Sequence, residues 1–92
     1  MTPETIIKKQ LKEYLRLRGW FVWHNLAGTG VYPGLADLTA VKNGVTVQIE
    51  AKTPRGRQSS NQMEYQDALE AHGGVYWVIH SLDELIEKVK EL

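Results

Sequence analysis

The 92-residue sequence contains no cysteine, which excludes disulfide bonds, thiolate metal sites and a cysteine nucleophile. It has no apolar run approaching the roughly 20 residues that a membrane-spanning helix needs, and no signal peptide is visible. It lacks a Gly-Lys-Ser or Gly-Lys-Thr motif, so a P-loop is excluded, and no serine lies in a nucleophile-elbow motif. The sequence therefore predicts one small domain over residues 1–92, in a soluble cytoplasmic protein that does not bind membranes.

Charge is balanced overall but unevenly distributed along the chain. Lysine and arginine together number 11, as do aspartate and glutamate, and most acids of the second half lie beyond position 63. The basic residues that we predict to contact nucleic acid are Lys8, Lys9 and Lys12 near the N-terminus, with Arg55 and Arg57 in a later loop. Such asymmetry is consistent with a polyanionic partner, although charge asymmetry in small domains more often serves solubility.

The order of predicted elements is α-β-β-β-α-β-α. A helix begins after the N-cap Thr2 and ends at Gly19, and a strand follows at 20–24. Its two tryptophans and phenylalanine indicate heavy burial, for which a subunit interface is one candidate location. A hairpin occupies 37–52, a helix runs from Ser59 or Ser60 to about His72, and the last helix follows Ser81. The strand at 75–80 is the most apolar and is expected to be central and parallel to the strand before the crossover helix. The pattern predicts an α/β fold with a mixed central sheet flanked by helices.

The hairpin brings two carboxylates together. Asn43 and Gly44 form the strongest short-range hairpin signal, because a type I′ turn needs positive φ at both central residues. A two-residue turn fixes the register and places Asp37 opposite Glu50. Alternation then puts Asp37, Glu50 and Lys52 on one face, together with Thr39 and Gln48. A loop at 25–34, containing Gly28 and Gly30, is expected to bring the chain close to a ligand just before Asp37.

Facing carboxylates on neighbouring strands repel each other, so their presence indicates a divalent cation between them. Mg²⁺ prefers such oxygen ligands, and a bound cation of this kind polarises a phosphate and activates water. Lys52 on the same face could orient that water or stabilise developing charge. The combination predicts phosphodiester hydrolysis. The alternative from residue types alone is an exposed hairpin face carrying mixed charges and a Glu–Lys pair.

The same residues resemble the PD-(D/E)XK nuclease pattern, in which an Asp is followed, at the end of the next strand, by Glu-X-Lys. Around it, the order of a leading helix with an early acid, a Leu-Arg-X-X-Gly helix end, Gly-X-X-Asp-Leu and Ile-Glu-Ala-Lys resembles a stand-alone VRR-NUC domain. The resemblance covers nearly the whole chain and implies a restriction-endonuclease-like core. One departure is Ala36, where the family often has proline before the Asp.

The resemblance implies roles for individual residues. Asp37 and Glu50 correspond to the metal carboxylates, the backbone carbonyl of Ala51 completes the coordination, and Lys52 is the catalytic lysine. Gln62 corresponds to a helix glutamine near the site, which competes with a structural role in the capping box Ser59-Ser60-Asn61-Gln62. Glu4 resembles an acid of the first helix that can join the metal site.

The resemblance also implies an activity and its partners. We expect a Mg²⁺- or Mn²⁺-dependent DNA endonuclease, encoded in a bacterial or phage context, that acts on branched DNA such as Holliday junctions as a homodimer. The alternative is a catalytically silent module of nuclease fold that binds DNA or a protein. A sequence-specific restriction enzyme ranks last, because the chain is too short to carry a recognition domain as well.

Overall fold

The computed structural model describes residues 1–26 and 31–92, so the prediction for Gly28 and Gly30 lies outside the described residues. The elements are α1 (Pro3–Leu17), β1 (Phe21–His24), β2 (Leu38–Lys42), β3 (Val45–Ala51), α2 (Ser60–Ala71), β4 (Val75–Ile79) and α3 (Leu82–Lys90). The strands form one sheet in the order β1-β2-β3-β4, in which only the β3–β4 pair is parallel. The predicted α/β class and element order are confirmed.

The hairpin of β2 and β3 has the predicted turn and register. Asn43 and Gly44 both adopt positive φ, 51° and 80°, and Lys42 pairs with Val45. The ladder continues without a bulge to the pair of Leu38 and Ile49. The regular ladder ends one residue short of Asp37, so Asp37 lies directly beyond β2 at the end of the sheet where β3 finishes.

Helices cover the sheet on both sides. Leu11 and Leu15 of α1 and Leu85 of α3 pack on one face, against the apolar side chains of all four strands. These strand residues are Val22, Leu38, Ala40, Val47, Ile49, Ala51, Trp77 and Ile79. On the other face α2 contacts β4, and its side chains reach polar residues of β3. The core therefore lies between one face of the sheet and the helices α1 and α3, and the polar side chains of β3 lie on the opposite face, beneath α2. No helix in residues 1–26 or 31–92 has the length and apolarity required to cross a membrane.

Strand β4 lies at the edge of the sheet, so the prediction of a central strand is wrong. It pairs only with β3, yet Tyr76 and Trp77 are both buried, at 4% and 8% exposure, because helices cover it on each face. Its apolar sequence reflects cover above and below rather than neighbours on both sides. The strand β1 forms the other edge and leaves Phe21 and Trp23 exposed, while Trp20 is buried.

Candidate metal centre

Three carboxylates from separate parts of the chain converge at one end of the sheet. Glu4 comes from the first turn of α1, Asp37 from the residue before β2, and Glu50 from the end of β3. One oxygen of each lies within 4.8 Å of an oxygen of the others. Sequence register alone predicts the pair of Asp37 and Glu50, and packing of α1 across the sheet adds the third acid.

Asp37 and Glu50 are held in place by backbone and burial. The Asp37 Oδ2 accepts a hydrogen bond of 2.8 Å from the backbone N–H of Ala51, which ties the start of β2 to the end of β3. Glu50 is only 1% exposed. The alternative of an exposed, mixed-charge hairpin face is therefore wrong, because α2 covers this part of the sheet.

Gln62 makes both of the contacts predicted for it, one in the capping box of α2 and one with the candidate site. Its Oε1 accepts a hydrogen bond of 2.8 Å from the backbone N–H of Ser59, completing a capping box at the start of α2. Its Nε2 donates a hydrogen bond of 2.7 Å to Glu50 Oε2. One amide side chain thus joins the first turn of α2 to the buried carboxylate.

The surroundings of Glu50 disfavour its charged form. The pKa of Glu50 is raised from 4.5 to about 9, mainly by burial and then by the adjacent Asp37 carboxyl, with a smaller contribution from Glu4. Lys52 acts in the opposite direction and lowers this pKa. A buried acid beside two others is the arrangement that a multivalent cation would relieve, because the cation favours the ionised form of every ligand.

Two lysines lie near the carboxylates. Lys8 of α1, which is also predicted to contact nucleic acid, approaches Asp37, with its Nζ 3.9 Å from Oδ1. Lys52 follows β3 directly and is half-buried, and it forms no ion pair with any carboxylate in the described part of the chain. Lys8 therefore lies against an acid of the cluster, whereas the ammonium of Lys52 forms no ion pair among the described residues.

A polar network lies under α2 beside the carboxylates. The Asn25 side chain donates to the backbone carbonyl of Ala36 at 2.9 Å and accepts from the Thr39 hydroxyl at 2.9 Å. Gln48 donates to Thr39 at 2.8 Å, and Tyr65 donates to Gln48 at 3.3 Å. This network anchors the residue before Asp37 to the middle of the sheet, so the position of Asp37 does not depend on its own contact alone.

The hydroxyl of Tyr76 is the one buried side-chain polar atom without a hydrogen bond in the described residues. Tyr76 lies opposite Gln48 in the β3–β4 ladder, on the same face as Glu50. Burial raises the pKa of Tyr76 far above its ordinary value, and the charge of Glu50 adds to the effect. The region around Glu50 is therefore enclosed enough to desolvate neighbouring groups.

The donor set fits a hard divalent cation. Three carboxylates supply oxygen ligands at mutual distances compatible with one ion, which is the chemistry that Mg²⁺ and Mn²⁺ prefer. Ala51 is fully buried and its N–H donates to Asp37. The carbonyl of Ala51 therefore lies at the same end of β3 as the carboxylates. Cysteine is absent from the chain and no histidine belongs to the carboxylate cluster, which disfavours a site for soft metals.

The stability of the metal-free protein should fall as pH rises from about 5 to 9. The folded state raises the pKa of Glu50 to about 9 from 4.5, so over this range it binds more protons than the unfolded chain. The free energy of unfolding then decreases with pH, by at most about 1.4 kcal/mol per pH unit for one proton. Thermal unfolding in EDTA at pH 6, 7 and 8.5 would measure the slope.

The control for the pH experiment is Glu50→Gln, which removes the titrating group and keeps the shape. The free energy of unfolding of this variant should fall less steeply with pH, because only the contributions from other titrating groups remain. Added Mg²⁺ or Mn²⁺ should stabilise the wild type more at pH 8.5 than at pH 6, because the cation displaces the proton from Glu50. Equal pH slopes for wild type and Glu50→Gln would contradict a raised pKa at this position.

The predicted nucleic-acid contacts lie on two surfaces. Lys9 and Lys12 line an open groove of about 550 Å³ between α1 and β1, together with Glu13, Arg16 and His24. The pKa of His24 is lowered, first by burial and then by Lys12 and Lys8. Arg55 and Arg57 are exposed in the loop after β3, and Arg57 borders a second groove with His80. The α1 surface adjoins the carboxylates through Lys8.

Comparison with solved structures identifies the fold. One structure described as a VRR_NUC domain matches with a TM-score of 0.86 over 98% of this chain and 97% of that chain, at 22% sequence identity. A VRR_NUC domain protein matches with a TM-score of 0.78 over 99% and 88% of the two chains, at 17% identity. No family model matches the sequence, and a search of curated proteins finds no match. The chain has the fold of a VRR_NUC domain, as its motifs led us to expect.

Sequence reasoning missed the involvement of Asn25 and the contact between Lys8 and Asp37. A helical projection could have placed Lys8 one turn after Glu4 on the same side of α1, because residues four apart are neighbours on a helix. The network of Asn25 depends on strand pairing and on the path of the loop before Asp37. No local sequence signal indicates it.

Proposed function

We propose that the chain is a divalent-metal-dependent DNA endonuclease. The observation that supports this most is the convergence of Glu4, Asp37 and Glu50, with Glu50 only 1% exposed, at one end of a sheet with the VRR_NUC fold. A structural role alone does not explain why three acids are held together against their mutual repulsion. A cation site does, and phosphodiester hydrolysis is the reaction that such a site and an adjacent lysine support.

The proposed site uses each residue for a separate task. Asp37, Glu50 and the Ala51 carbonyl would hold Mg²⁺ or Mn²⁺, with Glu4 as a further ligand. When bound, such a cation supplies Lewis-acid polarisation of the scissile phosphate and lowers the pKa of nearby water. The ammonium of Lys52 would orient the attacking water or stabilise charge that develops on the phosphate. Gln62 fixes the orientation of the Glu50 carboxylate through its 2.7 Å hydrogen bond.

Basic residues would bind the DNA backbone on either side of the cut. Lys8, Lys9 and Lys12 follow α1 away from Asp37, and the exposed loop after β3 carries Arg55 and Arg57. The two lysines that line the α1 groove share it with Arg16 and His24. Contacts of this kind position a duplex and carry no sequence information.

Lys12→Gln should weaken binding to every DNA of equal length and reduce its salt dependence. One lost phosphate contact lowers the slope of log affinity against log salt by about 0.9 for duplex DNA. Fluorescence anisotropy titrations in EDTA between 50 and 200 mM salt, roughly the range over which such slopes are measured, would test this. Lys88→Gln in α3 is the matched control, since it removes the same charge from the acid-rich C-terminal part. An unchanged slope of log affinity against log salt for Lys12→Gln would contradict the proposal that this surface of α1 contacts DNA.

A homodimer acting on branched DNA is the specific form that we propose. Phe21 and Trp23 of the edge strand β1 are 71% and 39% exposed, and their ring centroids lie 5.0 Å apart. Exposed aromatic pairs of this kind mark interaction surfaces. A two-fold assembly through this surface would present two carboxylate centres, which suits paired cuts in a junction.

A cleavage assay tests the proposed function directly. Labelled four-way junctions, forks, nicked duplexes and linear duplexes would be incubated with wild-type protein and Mg²⁺, Mn²⁺ or EDTA. We expect metal-dependent cutting that is fastest on the junction and absent in EDTA. Equal rates on linear and branched DNA would reject the structure selectivity, and intact DNA in every reaction would reject the enzyme.

One contact favours a second candidate, a nuclease-fold module that binds DNA or protein without cutting. Lys8 lies against Asp37, where its charge could substitute for part of a cation. In this case DNA or a protein would bind without metal-dependent cleavage. The wild-type cleavage assay separates the candidates, because an enzyme cuts DNA when metal is supplied, whereas a silent module leaves it intact.

A further inference from the structure

A cavity of about 430 Å³ opens beside the carboxylate centre. Asp37 and Gln62, which belong to that centre, also line this cavity, so a ligand held in it would lie next to the site of cleavage. The remaining wall comes from the segment before Asp37 and from the first turn of α2. The cavity is within the range of volumes that small organic ligands occupy in proteins.

The wall before Asp37 is held rigidly against α2. Gly34 has φ of +82° and packs so closely on α2 that a Cβ there would overlap the Asn61 carbonyl. Tyr32, two residues earlier, rests with its ring edge to the ring of Tyr65, with centroids 5.5 Å apart. The cavity therefore has a fixed backbone contact at its base and a supported aromatic ring at its rim.

The side chains of the cavity are suited to a flat, polar-edged aromatic ligand. Tyr32 is 62% exposed, and Val31 and Leu26 nearby are exposed as well, so apolar and aromatic surface is available for stacking. The side chain of Asn61 makes no hydrogen bond to any other described residue, leaving one amide donor pair and one acceptor. An amide beside an aromatic ring matches the edge and the face of a nucleobase.

A phosphate group is a poorer match for the same cavity. No lysine or arginine is among the described residues that line it, while Asp37 contributes a carboxylate. The N-terminal turn of α2 is already capped by the Ser59 side chain, whose hydroxyl oxygen accepts a hydrogen bond of 3.2 Å from the backbone N–H of Gln62. The charges and the apolar rim both favour a base over an anion.

We propose that this cavity binds one unpaired nucleobase of the DNA strand next to the scissile phosphate. The proposal rests on the proposed function for its partner, DNA, and adds a second element of recognition. Tyr32 stacks on the base and Asn61 hydrogen-bonds its edge. An unpaired base is displaced at little cost in a junction, flap or bulge, whereas in intact duplex its unstacking must be compensated by binding. The cavity would thus select DNA that contains an unpaired base close to the cut.

The test uses two duplexes of equal length, one fully paired and one with a single unpaired 2-aminopurine. Binding is measured in EDTA, where no cleavage is expected, by anisotropy and by quenching of the 2-aminopurine. Wild type and Tyr32→Phe should bind the bulged duplex more tightly and quench its fluorescence. Tyr32→Ala should lose about tenfold in affinity for the bulged duplex, as expected for one stacking contact, and nothing for the paired one. Asn61→Ala should also weaken binding of the bulged duplex alone.

The outcomes separate this proposal from the nuclease activity. Equal loss on both duplexes, or none, for Tyr32→Ala would overturn the base site even if the wild type cuts DNA. Higher affinity for a 5′-phosphorylated end, with no effect of Tyr32→Ala, would identify an anion site and overturn it as well. Tyr32-dependent quenching in EDTA, together with no cleavage of any DNA when Mg²⁺ or Mn²⁺ is supplied, would support the base site and reject the nuclease. Failure of wild type to bind the bulged duplex would overturn the base site, while cleavage of junctions in the presence of metal would still decide the nuclease.

Discussion

Replacement of Lys52 by alanine is expected to lower the rate of DNA cleavage by about 10²–10⁴-fold. Losses of this size are typical when a group that assists proton transfer or stabilises transition-state charge is removed. Lys52 directly follows β3, its charge acts on Glu50, and it forms no ion pair with a carboxylate in residues 1–26 and 31–92. Its ammonium is therefore available to substrate. Single-turnover cleavage of a labelled junction at saturating protein would measure the chemical step.

Two variants identify what the loss at Lys52 means. Lys42→Ala removes a lysine whose Nζ donates to the Arg18 carbonyl at 2.6 Å, far along the hairpin from the carboxylates, and should leave the rate within about twofold. Glu50→Gln should abolish the response to metal while preserving the fold, since the amide avoids burial of a charge. If Lys52→Ala cuts at the wild-type rate, Lys52 is not part of the chemistry, whatever the metal dependence.

Gly34→Ala is expected to destabilise the protein by about 3 kcal/mol or more. Alanine at φ of +82° is strained, and its Cβ would lie 2.8 Å from the backbone nitrogen of Gln62 and closer still to the Asn61 carbonyl. Both clashes involve backbone of α2, which cannot move aside as a flexible side chain would. Urea unfolding followed by circular dichroism would measure the change in free energy of unfolding.

Gly44→Ala supplies the matched control for Gly34→Ala. Gly44 has nearly the same φ, +80°, but a Cβ there would meet no atom within 4 Å. Its cost should be about 1 kcal/mol, from backbone strain alone. The difference between the variants then measures the close approach to α2. Equal costs would show that the segment before Asp37 is not packed tightly on the helix.

The hairpin could be predicted because its geometry is local. Asn43 and Gly44 determine the turn, the turn determines the register, and the register brings Asp37 beside Glu50. The carboxylate pair needed no information from elsewhere in the chain. The burial of this pair does depend on the rest of the chain, because alternation along β3 distinguishes two faces of the sheet without indicating that α2 covers the polar one.

Contacts between distant elements could not be predicted. Lys8 is predicted to contact phosphates, and its approach to Asp37 depends on how α1 packs against the sheet, which the sequence of α1 does not indicate. Strand β4 was expected in the middle of the sheet because it is apolar, although an edge strand between two helical layers is equally apolar. Both features arise from tertiary arrangement, which local composition does not encode.

The two hydrogen bonds of Gln62 limit the mutational tolerance of that position. Its terminal group must accept from the Ser59 amide and donate to Glu50 at the same time. Ionised glutamate offers the acceptor without the donor, and asparagine is one methylene too short to span both partners from the same backbone. Glutamine satisfies helix initiation and the carboxylate together, so selection for folding alone would preserve a residue of the candidate centre even in a descendant that had lost its activity.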